Sequence, residues 1–178
     1  ISNSLILMLV ALGVAFFFSF RIHAIQASTA KALFWVYAAL LGLGLAPIFM
    51  VYTGESIART FFISAGTFAA MSLWGYTTKR DLTGMGNFLI MGLFGIILAS
   101  IVNIFLGSSG LGFAISVLGV LIFTGLTAYD TQKIKEQYAE AWGTDVQEKV
   151  AIFGALSLYL DFVNLFQFLM SFMGQNRD

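Results

Sequence analysis

The chain has 178 residues, 59% hydrophobic and only 10% charged, with mean hydropathy +0.90, against about 25% charged in an ordinary soluble domain. This composition excludes a soluble globule and points to an integral membrane protein. Nine basic residues balance nine acidic ones and there is no cysteine, which argues against nucleic acid as a partner and excludes disulfides, thiol catalysis and cysteine-ligated metals.

Apolar runs of the ~20 residues that a spanning helix needs occur six times, at 3–20, 32–52, 57–77, 85–106, 111–131 and 149–173. The expected fold is therefore an all-α integral membrane protein, a single transmembrane helical domain over 1–178 with six visible spans. The chain starts at Ile1 in an apolar segment, without Met or a charged n-region, and is read as truncated at its N-terminus rather than as bearing a signal peptide.

In chain order, the first span ends at Arg21 and His23; His23 reads as a solvated interfacial histidine. Pro47, the only proline, is expected to kink the second span. Small residues at Gly95/Ala99 and Gly112/Ser116 have the spacing of close helix packing. Arg21, Lys31, Lys79, Arg80, Lys133, Lys135 and Lys149 fall in loops on one side, against Arg59 and Arg177 on the other. By the positive-inside bias the first side is cytoplasmic, so the C-terminus lies outside the cytoplasm. Trp35, Trp74 and Trp142 sit near cytoplasmic helix ends, as interfacial indoles do.

The last span, "LSLYLDFVNLFQFLM" at 156–170, carries Asp161 in its middle. An aspartate at the centre of a span costs ~2.5–3.5 kcal/mol on insertion scales, so it faces the bundle and needs a partner. Ser157, Asp161, Asn164 and Ser171 fall on one helical face, which is expected to point inward. Asp130 closes the preceding span in "FTGLTAYDTQKIK". The midpoint of 130 and 161 is 145.5, inside the turn-like "GTDVQE" of 143–148, so an antiparallel hairpin brings the two carboxylates to one depth. Each lies ~22 Å along its helix from the apex. Two carboxylates in contact away from bulk water tend to share one proton. Proton loss would drive the helices apart or invite a cation, and Arg21 could compete for the charge. The alternative is that Asp130 only caps its helix and Asp161 bonds locally to Ser157 or Asn164.

The segments "LAPIF" (45–49), "TKRDLTGMG" (78–86), "IVNIFLG" (101–107), "GLTAYDTQKIK" (125–135) and "ALSLYLDFVNLFQFL" (155–169) resemble the Bax inhibitor-1 (transmembrane Bax inhibitor motif) family, its bacterial members most closely. The resemblance implies a seven-helix bundle with one N-terminal helix absent here, in the bacterial inner membrane. It also implies that Asp130 and Asp161 form the pH-sensitive gate of a calcium leak, with Arg21 as a latch on the closed state. Two carboxylates with Thr127, Ser157, Asn164 and water would make a weak, transient Ca2+ site, because calcium wants six to eight oxygens; no tightly bound cofactor is expected. The partners expected are thus lipid, Ca2+ and protons. A competing reading, also implied by bacterial relatives, is a partner of an AAA-type membrane protease acting through 131–149; a third is a proton-coupled cation exchanger. Enzyme activity is not expected: the second aspartate lacks a GxGD context, and neither HExxH nor a nucleophile elbow occurs.

Overall fold

The computed structural model describes residues 27–46, 48–140 and 143–173. These form six helices: α1 (Ala27–Leu45), α2 (Ile48–Val51), α3 (Gly54–Thr77), α4 (Thr83–Leu106), α5 (Ser109–Glu140) and α6 (Thr144–Met173). Four of them, α3 to α6, are long and apolar enough to cross a membrane. The expected span over 32–52 is met by α1 and α2, broken by a turn at Ala46; Pro47, expected to cause that break, lies outside the described residues. So do the first span (3–20), Arg21, His23, Trp142 and the C-terminal 174–178.

Each boundary has a local cause. Thr53 caps α3, its Oγ1 accepting from Ser56 N at 3.2 Å, and Glu55 lies in the first turn, where its charge suits the helix dipole. Asp81 holds the start of α4, its Oδ1 accepting from Thr83 Oγ1 at 2.6 Å and from Thr83 N at 3.0 Å. These bonds hold the exposed Asp81 carboxyl below the usual aspartate value. Helix α4 ends at Gly107 in the left-handed region, φ 63°, where a Cβ would be strained. Asn103 Oδ1 then takes the amide of Ser108, and Ser108 Oγ that of Leu111, opening α5.

Helix α5 runs nine residues beyond the 131 at which the apolar run stops. The residues "TQKIKEQYAE" are mostly good helix formers, so the polar segment extends the helix instead of interrupting it. Most of "GTDVQE", expected at the apex, is the first turn of α6; the reversal falls between Glu140 and Thr144, with Gly143 at φ 85°.

The hairpin α5–α6 is the spine of the fold. Phe123 stacks on Phe168 with centroids 5.8 Å apart, and 123/168 has the same midpoint as 130/161. Helix α4 packs on α5, α3 on both α5 and α6, and α1 on α6. Between Leu160 and Met170 α6 is buried almost all round, whereas Phe105, Phe62 and Phe88, on α4 and α3, are 85%, 73% and 71% exposed. That inversion is the signature of a bundle whose solvent is lipid: greasy outside, with its polar side chains gathered within.

Helix contacts close down at particular glycines. A Cβ at Gly75 would collide with the backbone of Ala128, one at Gly119 with the Phe168 ring, and one at Gly154 with Ile134. The expected small-residue pair at Gly95/Ala99 plays a lesser part: Gly95 is exposed with open space where a Cβ would go, and Ala99 alone packs at the core. Gly112 meets Asn103 at the outer turn of α4.

Candidate functional site: a carboxylate pair on the central helix

The site is built on the spine. Asp161 lies in the most enclosed stretch of α6 and is 5% exposed; Asp130 is half-buried, at the point where α5 passes from apolar to polar sequence. The two carboxyl groups lie close enough to act on each other. The Oδ2 of Asp161 has no hydrogen-bond partner. Lys133, one turn further along α5, is a cation that acts on Asp130, and Tyr129 adjoins Asp130 in sequence.

Thr127, fully buried, lies three residues before Asp130 and donates its hydroxyl to Phe123 O at 2.7 Å, leaving oxygen lone pairs free to face inward. Asn164, 5% exposed, donates Nδ2–H to Leu160 O at 2.9 Å. Ser157 is half-buried, one turn from Asp161. The fourth member of the expected polar face, Ser171, is exposed along with Phe172, because α6 emerges from the bundle at its last turn. Arg21 cannot be related to the pair, lying outside the described residues. No group of three or more His, Cys, Asp or Glu side chains able to hold a metal occurs among the described residues, so any cation here would meet two carboxylates and neutral oxygens.

Two further residues escaped the sequence reading. Gln167, 5% exposed, continues from Asn164 at a spacing of three and its Nε2 is unpartnered; it stands in the same run as Asp161, and its spacing was the available signal. Gln132, two residues after Asp130, spans α5 and the 78–82 loop: its Nε2 donates to Arg80 O at 2.7 Å and its Oε1 accepts from Leu82 N at 2.9 Å. Lys135 adds a bond from Nζ to Tyr76 O at 2.7 Å and lies 4.7 Å from the Tyr76 ring centroid. Nothing local in the sequence announces contacts 50 or more residues apart.

A family profile described as inhibitor of apoptosis-promoting Bax1 matches residues 1–178. The chain belongs to this Bax inhibitor family. Its similarity to bacterial members is extensive. It is 53% identical over 173 residues to the Rickettsia prowazekii protein RP147, covering 97% of this chain and 73% of the relative. A Caulobacter vibrioides protein is 54% identical over 175 residues, covering 98% and 67%. The Escherichia coli inner membrane protein YbhL is 49% identical over 173 residues, covering 96% and 74%. Membership in the Bax inhibitor family thus bears out the resemblance carried by the "YDTQ" and "LYLDF" segments, and agrees with the membrane-spanning helices.

Proposed function

We propose that this Bax inhibitor family protein is a pH-sensitive cation leak of the bacterial inner membrane, with Ca2+ as the conducted ion and Asp130 and Asp161 as its gate. The observation that supports the reading is the proximity of the two carboxyl groups inside the α5–α6 spine, close enough to act on each other. While the pair holds a proton it joins the helices; when the proton leaves, like charges repel and the same oxygens become cation ligands. Thr127, Asn164, Ser157 and water complete a weak site, and weakness suits conduction, since an ion must also leave. Calcium as the ion rests on the family resemblance. The distribution of Lys31, Lys79, Arg80, Lys133, Lys135 and Lys149 against Arg59 supports a cytoplasmic α5–α6 hairpin in this reading, with the end of α6 on the other side. The protein acts as a conduit and not as an enzyme.

The test is Ca2+ flux into proteoliposomes from mildly acidic to mildly alkaline pH. Flux is expected to rise with pH in the wild type, because deprotonation opens the pair, and to lose that dependence in Asp161→Asn. Folded protein that passes no Ca2+ at any pH overturns the leak, and flux strictly coupled to counter-moving protons would make it an exchanger.

A second reading, partnership with an AAA-type membrane protease, is favoured by one observation: the cytoplasmic tip of α5 exposes Lys135, Glu136, Tyr138 and Glu140. Replacing this tip while sparing both aspartates should abolish association with the protease and leave flux intact.

A further inference from the structure

Helix α6 carries more polarity in its enclosed stretch than the pair alone explains. Asp161, Asn164 and Gln167 follow one another at intervals of three, each 5% exposed. Successive members are ~4.5 Å apart along the axis, and the three cover ~9 Å from the pair toward the helix C-terminus. A spacing of three on a 3.6-residue helix makes a ridge that turns about 60° per step, so it passes about a third of the way round the helix from Asp161 to Gln167. The outer end of the ridge holds an unpartnered polar atom, Gln167 Nε2. Between Asp161 and Gln167, Asn164 ties its Nδ2 to its own helix, so its oxygen is the part of the amide available to a ligand. Packing alone would be served better by leucine at 164 and 167, since an enclosed amide without a partner destabilises the fold unless water or an ion meets it.

We propose that the ion path continues from the carboxylate pair along the ridge Asp161–Asn164–Gln167 toward the C-terminal end of α6, as a file of water and side-chain oxygens. This rests on the conduction reading for its purpose, but not for its detection. Gln167 is the outermost station: its amide presents a donor to water and, on rotation of the same group, an oxygen to a cation. Asn164 bridges the gap to Asp161, so that a cation leaving the carboxylates meets a new oxygen within one helical turn.

The absence of cysteine from the whole chain makes the test direct. Gln167→Cys and Asn164→Cys, each the only thiol among these 178 residues, are exposed in proteoliposomes to a charged, membrane-impermeant methanethiosulfonate at acidic and alkaline pH. Leu165→Cys serves as the enclosed control from the apolar core, and Phe62→Cys as the lipid-facing one. Modification of the cysteines at 167 and 164, at least tenfold faster than at 165 and 62, is the expected result. Equal sluggishness at all four positions, in variants that elute as folded protein, overturns the proposal even if Ca2+ flux is found. Fast modification without flux keeps the hydrated ridge and sinks the leak alone. Gln167→Leu adds a functional arm: flux should fall severalfold while its pH midpoint stays that of the wild type, and unchanged flux would count against the ridge.

Discussion

At the level of single side chains, the closest approach between α3 and α5 is also the most demanding. Gly75 meets the backbone of Ala128, two residues before Asp130, and backbone cannot swing aside as a side chain can. Gly75→Ala should therefore lower stability by about 1–3 kcal/mol, read as a fall in the thermal midpoint in detergent, and should disturb the pair's spacing as α5 is displaced. Gly95→Ala, into open space, should leave the midpoint unchanged. Asp81 offers a pH-dependent counterpart. The bonds from Thr83 hold its carboxyl below the ordinary value, so its contribution is fully present above the unfolded-state value and lost as pH falls through the folded one. Asp81→Ala should be slightly less stable than the wild type at neutral pH and equal to it in strong acid. Because Asp81 is fully exposed, the deficit should also shrink in high salt.

Among the elements, α5 acts as the strut to which the cytoplasmic loop is tied. Gln132 satisfies a buried amide at Leu82 and a carbonyl at Arg80 with one side chain. Gln132→Leu leaves both without it, and an enclosed donor left unsatisfied costs about 1–3 kcal/mol; a lower thermal midpoint is expected. Gln132→Glu keeps the acceptor for Leu82 and should recover part of the loss. The length of α5 shows where reading by hydropathy stops short. The apolar run ends near 131 because the membrane ends there, whereas the helix continues to Glu140 because backbone hydrogen bonding is indifferent to that boundary. The cap at Thr53 and the left-handed Gly107 mark the ends of α3 and α4 by local chemistry that hydropathy does not register.

Across the whole molecule, the spans from 57 onward and the register of the α5–α6 hairpin, seen in the Phe123–Phe168 stack, were legible because each follows from one-dimensional regularities: run length and the equal depth of residues equidistant from a turn. The features that escaped depend on which neighbour a face meets. Ser171 shares a helical face with Asp161 but lies past the end of the bundle, Gly95 has the spacing of a packing residue yet no helix against it, and Gln132 finds its partners across the loop. The inside-out distribution carries its own expectation: Phe88→Leu and Phe105→Leu, on the lipid face, should shift the thermal midpoint by no more than a degree or two, whereas Leu165→Ala, fully enclosed, should cost about 2–5 kcal/mol.

The enclosure of α6 bears on how the protein is made. This helix follows in the chain every described element that surrounds it, and it carries a carboxylic acid and two amides that lipid would reject. When it leaves the ribosome, α3 and α4 can already pack on α5, whereas α1 finds its packed neighbour only in α6. Helices threaded earlier are joined through α5, and the arrival of α6 ties α1 to them. Maturation then resembles setting a keystone, and a nascent chain stalled before residue 144 would present quality control with an open, polar-lined cleft.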